Sequence, residues 1–187
     1  PIIENSFANP EEEYVIYRRD PETLARTQAI PGQVGLEHRV GGLEKGEDGG
    51  VSYDPDNHEE MTRLRAQKVA GISKSFDPLQ VRGEPEGDLL VIGWGGTYGA
   101  ICSAVGNLRE EGFSVSSIHL RHINPLPDEL GEIMGRFKKV IVPELNLGQL
   151  SLILRAKYLV DVIAYGKVQG KPFKVSELRE KFLKHLN

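Results

Sequence analysis

This 187-residue sequence is short of several things, and each shortage removes a class of function. It has one cysteine, Cys102, so no disulfide can form within the chain. A multi-cysteine zinc or iron-sulfur site built from this chain alone is excluded for the same reason. No apolar run is long enough to span a bilayer and no signal peptide is visible, so no membrane partner is expected. Lysine and arginine total 23 against 27 aspartates and glutamates, a net charge of -4, which argues against a nucleic-acid partner. These features together predict a cytoplasmic protein. The chain opens on Pro1 rather than methionine, and the expectation is a piece of a longer polypeptide.

What is present falls into two parts. Residues 1–71 read as an irregular linker segment. A possible strand at Tyr14-Val15-Ile16-Tyr17 leads into the polar, glycine-rich stretch PGQVGLEHRVGGLEKGEDGGVSYDPDNHEE. A structureless loop of that length inside a compact domain is usually functional or mobile, so partner contact is expected there, with Glu37 and His38 as its candidates. Asp54-Pro55-Asp56-Asn57 supplies helix-capping residues, and Met61, Leu64 and Val69 predict an amphipathic linking helix that stops at Gly71.

Residues 72–187 read as an α/β domain. Strands at Leu89–Gly93, Ser114–Leu120, Val140–Val142 and Asp161–Ala164 alternate with helices near Thr97–Glu111, near Leu130–Phe137, at Leu147–Tyr158 and at Val175–Leu186. The buried stripe of the first helix is expected to be Tyr98, Ile101, Val105 and Leu108, and that of the second Leu130, Ile133, Met134 and Phe137. Strands that are apolar throughout imply a mainly parallel sheet covered on both faces, a three-layer sandwich.

Ligands of such folds gather at the carboxyl ends of the strands, here Gly93–Thr97, Arg121–Asn124 and Glu144–Gln149. DLLVIGWGGTYG resembles a dinucleotide turn but departs from G-x-G-x-x-G, because Tyr98 stands where the third glycine belongs. After the next strand HLRH carries no acid for a ribose hydroxyl, although Arg121 would suit a 2′-phosphate. An NADP- or coenzyme A-binding domain using Gly95, Gly96 and Arg121 is therefore the alternative reading. Under the favoured one the glycines bring a helix close beneath a strand, and Trp94 and Tyr98 meet a partner domain. His122 is either an acid or base near neutrality or a contact residue. Glu144 and Asn146 precede a helix, where they cap free N–H groups or meet a ligand. His38, His58, Asp54 and Asp56 lack ligand spacing, so no metal is assigned. Cys102 is read as a packing residue.

GWGGTYGAI, LRHINPLP and VPELNLGQL, each following an apolar strand, resemble the transketolase C-terminal-like domain of alpha subunits of 2-oxoacid:ferredoxin oxidoreductases. PGQVGLEHRVGG and SYDPDNHEEMTRLRAQKVAGI resemble the preceding segment of the 2-oxoglutarate members. The resemblance implies a holoenzyme that uses thiamine diphosphate, Mg2+ and an iron-sulfur cluster, with coenzyme A as co-substrate. Its implied partners are the remaining alpha-subunit domains, a beta subunit and, through the holoenzyme, ferredoxin. The segment itself is expected to bind none of these cofactors alone, to hold no catalytic residue and to serve assembly. Its interface or ligand-proximal candidates are Glu37, His38, Trp94, Gly95, Gly96, Thr97, Tyr98, Arg121, His122, Glu144, Asn146 and Gln149. A homodimer formed through an exposed apolar interface is a further expectation.

Overall fold

A computed structural model of the chain describes residues 7–186. The chain divides into two compact units, Pro1–Ile72 and Ser73–Asn187.

The first unit is built from turns, isolated β-bridges and one helix, α1 (Pro55–Gly71). The helix begins as its sequence requires. The Asp54 side chain accepts from the Asp56 amide, and Pro55 occupies the first turn, where a missing N–H costs nothing. The expected amphipathic stripe is absent, because Met61 is buried but Leu64 is half-buried and Val69 is exposed. The expected strand at 14–17 is absent too. Ile16 and Tyr17 form a turn, and the bridges of this unit, such as Arg19↔Arg26 and Lys45↔Val51, join single residue pairs. Without a second apolar strand to pair with, a four-residue run has no sheet to enter.

The second unit is a four-stranded parallel sheet in the order β2-β1-β3-β4. Its elements are β1 (Gly87–Trp94), α2 (Tyr98–Glu110), β2 (Val115–Leu120), α3 (Leu130–Gly135), β3 (Phe137–Glu144), α4 (Gln149–Tyr158), β4 (Val162–Gly166) and α5 (Val175–Leu186). Alternate residues of each strand point to opposite faces, so each face collects its own core. Leu89, Val91, Val115 and Ile141 pack with Ile101, Ala104, Val105 and Leu108 of α2 and with Leu178 and Phe182 of α5. Leu90, Ile92, Ile118, Leu120, Val140 and Val142 pack against α3 and α4. The result is three layers, and burying each large side chain contributes roughly 1.5–3 kcal/mol.

Three expectations are corrected at element ends. Phe137 opens β3 rather than closing α3. Tyr98 is 41% exposed, so it does not belong to the buried stripe of α2. The helix expected from Leu147 begins at Gln149, because Gly148, at φ 92°, turns the chain into it.

Candidate functional site

β1 lies between β2, which follows it in sequence, and β3, which crosses back past it. The sheet therefore has its switch point between β1 and β3, and ligands of such sheets bind outside the carboxyl ends of the strands there. On β1 that end is Trp94-Gly95-Gly96-Thr97. Trp94 is half-buried against the core face that holds Leu90 and Ile92. Thr97 is buried and ties the turn, its hydroxyl donating to the Trp94 carbonyl at 2.8 Å and accepting from the Trp94 amide at 3.2 Å.

The glycines divide by role. A Cβ on Gly93 would stand 2.6 Å from Ile101 Cδ1, 3.1 Å from Thr97 Oγ1 and 3.3 Å from His119 Nδ1, so the start of the turn is closely packed by side chains. Gly95 sits at φ 57°. At Gly96 and Gly99 an added Cβ would meet nothing within 4 Å. The expectation that these glycines press backbone to backbone is thus corrected for Gly95, Gly96 and Gly99, which open onto free space.

On β3 the end is closed. Glu144 is fully buried, and both its oxygens are committed to the start of α4: Oε2 accepts from the Leu150 amide at 2.9 Å, and Oε1 from the Ser151 amide at 2.9 Å and the Ser151 hydroxyl at 2.8 Å. Asn146 Oδ1 accepts from the amides of Gly148 at 2.7 Å and Gln149 at 3.2 Å. A helix start leaves N–H groups without partners and favours negative charge, and these two side chains answer both demands. The Gln149 side chain is exposed beside them.

The open space lies at the end of β2. There the segment before β1 runs along the outer edge of the sheet, where Arg82 and Ser117 exchange two backbone hydrogen bonds of 2.8 and 3.0 Å. Between this segment, Tyr98 and the β2–α3 loop is a groove of about 850 Å³. Two guanidinium groups, Arg82 and Arg121, and two imidazoles, His119 and His122, line it beside one carboxylate, Asp77. The walls are stiffened by rings. Phe76 stacks on His122 at 4.0 Å and 10°, and Tyr98 meets His119 edge-on at 4.9 Å. Arg82 donates to the Tyr98 hydroxyl and lies 5.1 Å from that ring's centre. Burial, then the charges of Arg121 and Arg82, hold the His119 pKa below the usual histidine range, so near neutrality it acts as an uncharged hydrogen-bonding group. The groove suits an anion with an apolar or aromatic part: two fixed positive charges, a phenol and two imidazoles over stacked rings.

Of the residues singled out from sequence, Tyr98, Arg121 and His122 come together here, with Gly95 and Gly96 in the turn that precedes Tyr98. Glu37 and His38 lie in the other unit, each tied to its own loop. Glu37 accepts from the Gly35 amide at 2.8 Å, and His38 Nδ1 donates to the Leu36 carbonyl at 2.9 Å. Phe76, Arg82 and His119 carry no signal in the sequence that points to a site. The chain before β1 has no periodicity that would place Arg82 beside β2, although the helix-breaking VRGEPEG gives a weak sign of an edge segment. Among the described residues no three His, Cys, Asp or Glu side chains come together as metal ligands, and no helix is long and apolar enough to cross a membrane.

A doubly wound parallel sheet with a basic, aromatic groove at its strand ends defines an α/β ligand- or partner-binding domain. Sequence comparison makes this particular: residues 87–178 match the pyruvate:ferredoxin oxidoreductase core domain II, and that segment of the chain belongs to this family. It is 50% identical over 181 residues to 2-oxoglutarate oxidoreductase subunit KorA of Mycobacterium tuberculosis, covering 95% of this chain and 27% of that one. It is 30% identical over 152 residues to 2-oxoglutarate synthase subunit KorA of Methanocaldococcus jannaschii, covering 80% of this chain and 41% of that one. A solved 2-oxoglutarate:ferredoxin oxidoreductase from Magnetococcus marinus, with 2-oxoglutarate, coenzyme A and succinyl-CoA bound, superposes on 100% of this chain and 33% of its own. The TM-score is 0.93 and the identity 31%. The chain thus spans well under half the length of these relatives.

Proposed function

We propose that this chain works as a segment of the alpha subunit of a thiamine diphosphate-dependent 2-oxoglutarate:ferredoxin oxidoreductase, and that it serves assembly and ligand positioning rather than bond-making. In that reaction the 2-oxoacid loses its carboxylate as carbon dioxide, two electrons pass to ferredoxin and the acyl group is taken by coenzyme A. The observation that carries the reading is likeness along the whole chain, 50% identity over 95% of its length to an alpha subunit so named. Thiamine diphosphate, Mg2+ and the iron-sulfur cluster belong, in this reading, to the remaining alpha-subunit domains and the beta subunit, because a chain with one cysteine cannot hold a cluster.

The chain's own residues have two tasks. Leu145 and Leu147 before α4, and Leu152 and Ile153 on it, are exposed at 41, 90, 69 and 47%. Apolar groups left outside on an otherwise well-packed unit support a role in covering a neighbouring domain or subunit. Arg82, Arg121 and Tyr98 of the groove hold an anionic side chain of that neighbouring domain or subunit.

The open glycine turn and basic groove also favour the second reading, a self-sufficient nucleotide-binding domain. Calorimetric titration with NADP separates the two, using the chain and its Arg121→Gln variant. Heat that is unaffected by the substitution, or none, is expected. Saturable micromolar binding of NADP that Arg121→Gln abolishes would overturn the assembly reading.

A further inference from the structure

We propose that the first unit carries a separate binding site for a multiply charged phosphate group, in the pocket between Arg19, Arg26, Lys45, Arg65 and Lys68. The pocket is about 490 Å³, and these five cationic side chains line it with one carboxylate, Glu44, and the Met61 thioether. Such a concentration stands out on a chain whose net charge is -4.

The local structure forces the charges together. Arg19 and Arg26 face each other across an antiparallel bridge. Opposed residues of such a pair hold their Cβ atoms about 5 Å apart, and like charges placed there repel. The turn between them uses up the nearest acid: Asp20 Oδ1 accepts from the amides of Glu22 and Thr23 and from the Thr23 hydroxyl. Glu44 is committed as well, to Arg65 at 2.9 Å and His58 at 2.6 Å. Among the described residues no carboxylate lies within ion-pairing distance of Arg19, Arg26, Lys45 or Lys68.

Arg19 is held by the Leu24 carbonyl at 3.3 Å and the Met61 sulfur at 3.7 Å, and its buried Nε has no hydrogen-bond partner. A buried guanidinium N–H without an acceptor costs free energy until one arrives. Burial and the charges of Arg26 and Arg65 lower the Arg19 pKa, the electrostatic mark of a site short of negative charge. Arg26 is kept in place over the Tyr17 ring, 4.3 Å from its centre, and Lys45 is buried with its ammonium donating to the Leu43 carbonyl at 2.7 Å. Cations arriving from several directions match a tetrahedral, polyvalent oxyanion better than a planar carboxylate of single charge.

The test is titration of the whole chain, at matched ionic strength, with inorganic pyrophosphate, with ADP and with succinate. Pyrophosphate or ADP is expected to bind at least tenfold more tightly than succinate, since each lost charge-assisted bond is worth about tenfold. ADP above pyrophosphate identifies a nucleotide as the source of the phosphate, and equality identifies the phosphate group alone. Arg26→Gln and Lys68→Gln, the latter on the exposed last turn of α1, are each expected to weaken binding about tenfold. Lys138→Gln, at an exposed lysine of the other unit that lines neither pocket, leaves it unchanged. Pyrophosphate binding no tighter than succinate would overturn the proposal, and so would equal weakening by Lys138→Gln.

Discussion

The two units of this chain are ordered by different physics. From Ser73 onward, two apolar cores sandwich a parallel sheet, and residues such as Leu89, Ile92, Leu108 and Phe182 are fully enclosed. Among the described residues before Ile72, the buried hydrophobic side chains are Ala8, Leu36 and Met61, each still 7% exposed. Shape there comes from polar turns: Asp20 gathers 20–23, Asp48 accepts from Gly50, and Asp54 starts α1. A unit closed by burial can leave its strand ends free for a site. One closed by side-chain hydrogen bonds and charge has its site wherever the charges fail to balance.

Truncating a core side chain should separate the units most sharply. Phe182→Ala removes a ring at 0% exposure and is expected to cost about 3–5 kcal/mol, against about 2 kcal/mol for Met61→Ala, as read from chemical denaturation. Similar costs for both would break the contrast. Next comes Glu144→Ala. It strands two buried amides and a hydroxyl at the start of α4, and is expected to destabilise by about 3 kcal/mol. Amide hydrogen exchange should show the loss first at Leu150 and Ser151.

A gain is expected at Leu159. It ends α4 at φ 55° with 89% of its surface exposed, so Leu159→Gly relieves a left-handed conformation while giving up little packing. Thermal denaturation should report roughly 0.5–1 kcal/mol of added stability. The smallest effect is pH-dependent. The His119 pKa is lowered on folding, so below the ordinary value of 6.5 the unfolded chain takes up a proton that the folded chain resists. The stability it contributes is therefore fully present above pH 6.5 and is lost as pH falls through the folded pKa. His119→Gln should flatten that acid limb and leave stability above pH 7 nearly unchanged.

The same contrast explains what was legible in the sequence. Strands buried on both faces appear as apolar runs, so the sheet and its helices could be read from Leu89 to Leu186, with errors only where ends meet. The spacing of Phe137 from Met134 suits a helix, yet a single arginine separates α3 from β3. Leu147 continues an apolar helix pattern that Gly148 interrupts. Tyr14–Tyr17 has strand composition but no strand to pair with. At the site, Tyr98, Arg121 and His122 follow strands and so stood out, whereas Arg82 reaches the groove through one bridge to Ser117. Arg19 and Arg26 meet only because a turn at Asp20 folds the chain back, and nothing in their spacing signals it.

The central claim, an alpha-subunit segment of a 2-oxoglutarate:ferredoxin oxidoreductase, is tested most directly by activity. The complete alpha subunit containing this chain would be produced with its beta subunit, and ferredoxin reduction followed with 2-oxoglutarate or pyruvate, with and without coenzyme A. The account predicts reduction that requires coenzyme A and prefers 2-oxoglutarate. An assembled, cofactor-loaded complex that leaves ferredoxin oxidised with 2-oxoglutarate would contradict it.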